Sequence, residues 1–247
     1  MENYDLIRRA EDLAQRCERT GTLTHTGFLS PAEHHQLELW AARTGTRVLF
    51  HGGAEDCERT VAFFLPDWME ETSFDAAETI SAMKITAYFG TPGHRDYMGA
   101  ILGMGIGREW LGDIRVEGDT AYIFCMPSVL RHLLGIEKVG RVSVKVQELS
   151  LASVPTLKRE VKELSFSVMS LRLDAIVAGL FHLSRSEAAR QIEAGLVSLN
   201  YEECLKTDHP GREGDILSLR GAGKGRIQGI GGNSRTGRTF VYGEIWR

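Results

Sequence analysis

Cysteine is scarce in this chain. The four present, Cys17, Cys57, Cys125 and Cys204, lie far apart with no C-x-x-C pair, which argues against both a zinc knuckle and a disulfide framework and leaves reduced thiols used in packing. The eight histidines show no metal-ligand spacing. His34 and His35 are adjacent and would point about 100° apart on a helix, so no metal is expected. No apolar run approaches the roughly twenty residues of a membrane span, and Glu2, Asp5, Arg8 and Arg9 leave no signal-peptide core at the start. Internal repeats and low-complexity tracts are also missing. A cytoplasmic, monomeric protein without a membrane partner or cofactor is expected.

What is present is ordinary in bulk and uneven in detail. With 43% hydrophobic and 25% charged residues, 247 residues suffice for two or three small domains with proper cores. The net charge of −4 is unequally shared: Phe166 to Arg247 holds 11 basic and 9 acidic residues, leaving 18 basic and 24 acidic elsewhere. The electrostatic footprint for a polyanion therefore lies at the C-terminal end. An acidic remainder favours docking in one geometry over indiscriminate binding.

Within Leu171–Leu219 the pattern is specific. Leu173, Ile176, Val177 and Leu180 fall at i, i+3, i+4 and i+7, one apolar stripe of a helix. Ser184-Arg185-Ser186-Glu187 is a Ser-x-x-Glu capping box opening a second helix, which Gly195 would end. Leu196–Leu199 and Ile216–Leu219 alternate as strands do, with turns at Asn200 and Gly214-Asp215. Arg172-Leu173-Asp174, Ser184-Arg185-Ser186, Ala188, Arg190-Gln191, Gly195, Val197, Asn200 and Gly214-Asp215 together resemble the alpha-L RNA-binding module, the S-four domain. The resemblance implies that Arg172, Ser184, Arg185, Ser186, Arg190, Gln191 and Lys206 grip RNA, where planar guanidinium groups hold phosphates bidentately or stack on bases. The competing reading pairs Arg172 with Asp174 or Glu187, and Arg190 with Glu193 or Glu187, as solvated helix charges. Tyr201 stands where the family usually has glycine, so a different turn type is expected there.

After this module, GAGKGRIQGIGGNSRTGR is rich in glycine and carries Lys224, Arg226, Arg235 and Arg238. It reads either as a basic loop that moulds to phosphates or as a hairpin whose glycines relieve turns. Thr239–Ile245 follows as a strand.

Upstream, Asn3–Arg19 reads as a helix and Ser30-Pro31-Ala32-Glu33 opens another. Strands over Arg47–Phe50 and Thr60–Leu65 complete an N-terminal α/β subdomain over residues 1–75. Residues 76–167 show the order β-α-β-β-α-β of a ferredoxin-like fold, with a Gly118-Asp119 hairpin turn. Residues 168–247 form the S-four domain with its basic extension. The fold class is α+β.

Three segments imitate catalytic motifs. His94-Arg95-Asp96 matches a kinase catalytic loop without the other kinase elements. Gly103, Gly105 and Gly107 match the glycine loop of S-adenosylmethionine-dependent methyltransferases, but follow a helix and not a strand. Gly-Lys-Gly at 223–225 lacks the spacing of a phosphate loop. In full, HRDYMGAILGMGIGREWLGDI over His94–Ile114, with the S-four module, the glycine-rich tail, FLSPAE and ERTVAFFLPDW, is similar to the YlmH-type S-four proteins of bacteria, cyanobacteria and plastids. The resemblance implies a middle domain that binds RNA, with Arg95 and Arg108 as a possible second site. Ion pairs of these arginines with Asp96 and Glu109 are the slightly favoured alternative. It further implies a non-enzymatic protein on structured ribosomal RNA of the large subunit and on tRNA, in ribosome-associated quality control, cell division or photosystem assembly, in the cytoplasm or the plastid stroma. A methyltransferase targeted by its S-four domain is the rival reading, and a protein-interaction adaptor a third.

Overall fold

Ser30 caps the second helix as the sequence indicates: its hydroxyl accepts the Glu33 amide, and the Glu33 carboxylate takes the Ser30 amide at 2.7 Å. A computed structural model places this helix among the described residues 2–156, 161–233 and 237–246. The chain divides into two units, Met1–Leu157 and Lys158–Arg247. In the first unit α1 (Glu2–Thr20), β1 (Thr24–Leu29), α2 (Pro31–Thr44), β2 (Val48–His51) and β3 (Thr60–Phe64) form an antiparallel sheet in the order β1-β3-β2. Then come β4 (Ser81–Ala87), α3 (His94–Leu102), β5 (Leu111–Glu117), β6 (Thr120–Cys125), α4 (Pro127–Leu133), β7 (Lys138–Val139) and β8 (Val142–Leu149). Their sheet runs β5-β6-β4-β8-β7, antiparallel throughout. This is the ferredoxin-like arrangement expected from the element order, with β7 added at one edge.

Residues 1–75 and 76–167 were expected as separate domains, and the packing corrects this. Every residue of β3 is buried, because both faces of the strand are covered. Ala62 and Phe64 join Ala10, Leu37 and Trp40 beneath α1 and α2. Val61 and Phe63 face the other way and share a core with Ile80, Ala82, Phe124 and Met126 of the middle block. The opposite face of the ferredoxin-like sheet packs Met83, Ile85 and Ile123 against Tyr97, Ile101 and Leu133 of its helices. Two sheets thus share one hydrophobic layer. The thiols are free, and burial pushes that of Cys125 up to about 12, consistent with a packing role.

The second unit contains β9 (Val161–Val168), α5 (Leu173–Leu180), α6 (Arg185–Glu193), β10 (Val197–Leu199), β11 (Glu202–Glu203), β12 (Ile216–Leu219), β13 (Gly223–Asn233) and β14 (Thr239–Trp246). Its six-stranded sheet runs β11-β10-β12-β13-β14-β9. The boundary at 167/168 therefore moves, since β9 pairs with β14 along its whole length, from Thr239 opposite Val168 to Trp246 opposite Val161. Over Gly223–Asn233 the glycine-rich segment is the long strand β13, paired with β12 and β14, in keeping with the hairpin reading. Glycines of β13 and β14 make room for a helix: a Cβ on Gly225 would sit 2.9 Å from the Glu244 carbonyl and 3.6 Å from Leu180 Cδ2 of α5, and one on Gly243, opposite Ile227, would sit 2.7 Å from the same Cδ2. The β10–β11 turn also differs from expectation. Asn200 and Tyr201 both adopt left-handed backbone, at φ 49° and 69°, the pattern of a two-residue type I′ turn. Asn200 holds it by donating to Asp215 Oδ1 at 2.9 Å and accepting from the Ile216 amide at 2.9 Å.

Candidate nucleic-acid interface

The helical corner of the second unit is organised around Asp174, a carboxylate only 6% exposed. Arg172, the residue before α5, donates to Asp174 Oδ2 at 3.1 Å and Oδ1 at 3.4 Å. Arg185, in the first turn of α6, donates to Oδ1 at 3.1 Å. Both arginine side chains remain about half open to solvent. A guanidinium carries five N–H donors in a rigid fork, so edges remain for a phosphate after Asp174 is satisfied. Burial pushes the Asp174 carboxyl upward, but the hydrogen bonds from Arg172 and Arg185 outweigh it and hold the group below the ordinary carboxylate range. Pairing and RNA contact are thus compatible: one buried anion positions two cations and leaves net positive charge outside.

That depressed value has a pH consequence. The stabilisation is fully present above the unfolded value near 3.9 and is lost as the pH falls through the lower native one. Urea unfolding at pH 6 and pH 3 is expected to show a smaller acid loss for Asp174→Asn than for the parent chain. Equal losses would refute the clamp.

The surrounding residues complete the corner. Ser184 Oγ accepts the Glu187 amide at 3.1 Å and shares a hydrogen bond with Ser186 Oγ at 3.1 Å. The returning arm of the expected capping box is not formed, because the Glu187 carboxylate is taken by Gln191 Nε2 at 2.6 Å and by Arg190, one turn further along α6. Arg190 therefore pairs with Glu187 and not Glu193. Lys206 is exposed on the loop that brackets the start of α5, where Thr207 and His209 carbonyls accept the Asp174 and Leu173 amides.

The remaining basic residues lie elsewhere in this unit. Arg226 sits on β13 opposite Glu244, its Nη1 3.8 Å from Oε1 and its guanidinium 5.6 Å from the Trp246 ring centre. Lys224 Nζ stands 5.9 Å from the Tyr201 ring centre. Arg238, just before β14, donates to Ser167 Oγ at 3.0 Å and to the Ser167 carbonyl. Arg235 lies outside the described residues.

Arg95 and Arg108 belong to the first unit, and both are exposed. The favoured ion pairs with Asp96 and Glu109 are not formed among the described residues. Asp96 instead accepts the Gly93 amide at 2.8 Å, capping α3. Sequence reasoning missed Arg59. Its guanidinium donates to the carbonyls of Leu111 at 2.8 Å, Arg108 at 2.9 Å and Phe28 at 3.1 Å. Asp113 accepts the Glu58 and Arg59 amides at 2.8 and 2.9 Å. A Cβ on Gly112 would meet the Phe28 ring at 2.6 Å. Gly112 and Asp113 of the His94–Ile114 motif thus join the two sheets. Gly103, Gly105 and Gly107 follow α3, and a Cβ on Gly107 would meet the Glu109 carboxylate at 2.4 Å. Among the described residues no group of His, Cys, Asp and Glu could hold a metal ion.

Two family models match the chain: "Putative RNA-binding domain in YlmH" over residues 72–153 and "S4 domain" over residues 171–217. The chain is 27% identical over 214 residues to the ribosome-associated protein quality control protein P2 of Bacillus subtilis (strain 168), covering 85% of this chain and 82% of the relative. It shares its fold with the cell division protein ylmH from Streptococcus pneumoniae, at a TM-score of 0.54 and 21% identity over 62% of this chain and 93% of that one. With a ferredoxin-like block and an arginine-bearing helical corner where those models fall, the chain is a YlmH-type S4 RNA-binding protein.

Proposed function

We propose that this protein is a non-enzymatic factor of the ribosome that docks on structured RNA of the large subunit, with tRNA as a further ligand of the same grip, and serves the quality control of translation. The Arg172–Asp174–Arg185 clamp carries the reading: two arginines fixed by one buried carboxylate, with donor edges open to solvent. Such an arrangement suits positioning on a phosphate backbone, where contacts fix orientation without chemistry on the RNA. The Bacillus relative, named for ribosome-associated quality control, supports the setting. The cytoplasm is the compartment this implies.

Salt dependence tests the grip. Arg185→Ala is expected to weaken binding to ribosomal RNA roughly tenfold, and to flatten the slope of log affinity against log salt by about one unit. Affinity that ignores both the substitution and the salt would remove the basis for the proposal.

A further inference from the structure

The sheet of the second unit has two unlike faces. α5 and α6 cover one, where Val241, Ile227, Leu217 and Val168 are buried. On strand alternation the other face receives Phe240 and Tyr242 of β14, which are 40% and 49% exposed. Cross-strand pairing puts Ser167 beside Phe240 and Ser165 beside Tyr242. Arg226 and Gln228 come from β13 and flank Glu244, which accepts from Gln228 at 2.7 Å.

The glycines of β13 matter here in a second way. Gly229 lies opposite Tyr242, with register shifts on either side of Gly229 and Ile230. A Cβ on Gly231 would stand 2.9 Å from Tyr242 Cε2 and 3.4 Å from its hydroxyl oxygen. The Tyr242 ring therefore lies across bare backbone, and a larger residue at 231 would push it away. Two aromatic rings two residues apart on one strand are spaced by roughly 7 Å, within reach of successive bases of an extended nucleic-acid strand.

We propose that this face binds unpaired RNA, with Phe240 and Tyr242 stacking on bases while Lys224, Arg226 and Arg238 hold the phosphates. The inference rests on the RNA-binding reading but assigns a different ligand to a different surface, single strands here and structured RNA at the helical corner. Sequence-tolerant stacking on aromatic rings beside a cationic track is the usual chemistry of single-strand recognition. The polar setting, with Ser165 and Ser167 beside the rings on β9 and Gln228 beside them on β13, favours RNA over a protein partner. Two carboxylates share this face: Arg226 and Gln228 engage Glu244, and Glu163, its cross-strand neighbour on β9, lies two residues along the strand from the Tyr242–Ser165 pair and further still from Phe240.

The full chain would be titrated with a fluorescent oligoadenylate of about a dozen nucleotides and, separately, with a fully paired hairpin RNA. Phe240→Ala with Tyr242→Ala should weaken oligoadenylate binding roughly 10- to 100-fold and leave hairpin binding unchanged. Arg185→Ala should do the reverse. Leucine at both positions keeps an apolar cover over Gly231 but offers no ring, so it should lose oligoadenylate as the alanine pair does even if the alanine pair folds poorly. Exchanging the rings, Phe240→Tyr with Tyr242→Phe, should retain binding. Oligoadenylate affinity untouched by the alanine and leucine pairs, with hairpin binding still sensitive to Arg185→Ala, would overturn this inference and spare the proposed function. Failure of the parent chain to bind either RNA would overturn both. Loss of self-association in sedimentation with RNA affinity unchanged would assign the face to a protein contact and overturn the inference alone.

Discussion

Arg59→Ala is expected to cost the first unit about 3 kcal/mol, read as a lower urea midpoint. Three carbonyls from two segments, Phe28 of β1, and Arg108 just before β5 with Leu111 at its start, converge on that one guanidinium. Hydrogen bonds to a charged group contribute about 1.5–3 kcal/mol each, and groups left unmet in a partly buried site keep their desolvation penalty. The effects overlap, so the total falls below the sum. Arg59→Lys should recover little, because a compact ammonium cannot reach three acceptors in the geometry of a planar fork. A loss under about 0.5 kcal/mol, the size of an ordinary surface change, would mean that these bonds do not join the sheets.

The second large effect separates structure from binding at the clamp. Arg172→Ala with Arg185→Ala leaves Asp174 buried with no counter-charge, and stripping a partner from a buried ion pair costs about 3–5 kcal/mol. Both guanidiniums are half exposed, so the lower end of that range applies. RNA affinity should fall on the order of 100-fold, two charge-assisted contacts having gone. Adding Asp174→Asn removes the stranded charge and should restore most of the stability, but none of the affinity. Chemical denaturation and RNA titration on the same three proteins give both readings. Recovery of RNA binding in the triple variant would show that the arginines act only through the fold.

Much of the architecture is legible because local pattern and tertiary role agree. The Ser30 cap, the ferredoxin-like order and the α5 stripe are each written in short spacings that packing then uses. β1 escaped notice because Gly27 and a register shift between His25 and Phe28 break its alternation. β13 is legible only as one of two alternatives, the hairpin, because glycines carry no side-chain pattern to decide it; its strand character comes from β12 and β14 on either side. In the clamp, the Arg172–Asp174 pair is two residues apart and could be anticipated. Arg185 reaches the same carboxylate only once two helices form a corner. Arg59 and Asp113 stand inside the ERTVAFFLPDW and His94–Ile114 motifs, but no local spacing pairs them, since Asp113 and Leu111 lie more than fifty residues from Arg59 in the chain. At Tyr201 the residue preference was overridden by the hydrogen bonds of Asn200 to Asp215 and Ile216.

The pairing of β9 with β14 bears on how such a unit travels between proteins. Val161 lies opposite Trp246, so the first residue of β9 and the last of β14 sit side by side at one end of neighbouring strands. A fold with adjoining ends can be grafted onto a host at a single point, or circularly permuted by linking those ends and opening an exposed turn such as Arg212–Gly214, without parting any strand from its neighbour. A fragment trimmed to residues 171–217 would lack β9, β13 and β14 and half of β12, and would leave the remaining sheet with a bare hydrogen-bonding edge prone to pairing with other chains. The transferable module is the whole six-stranded unit, larger than the segment by which it is recognised.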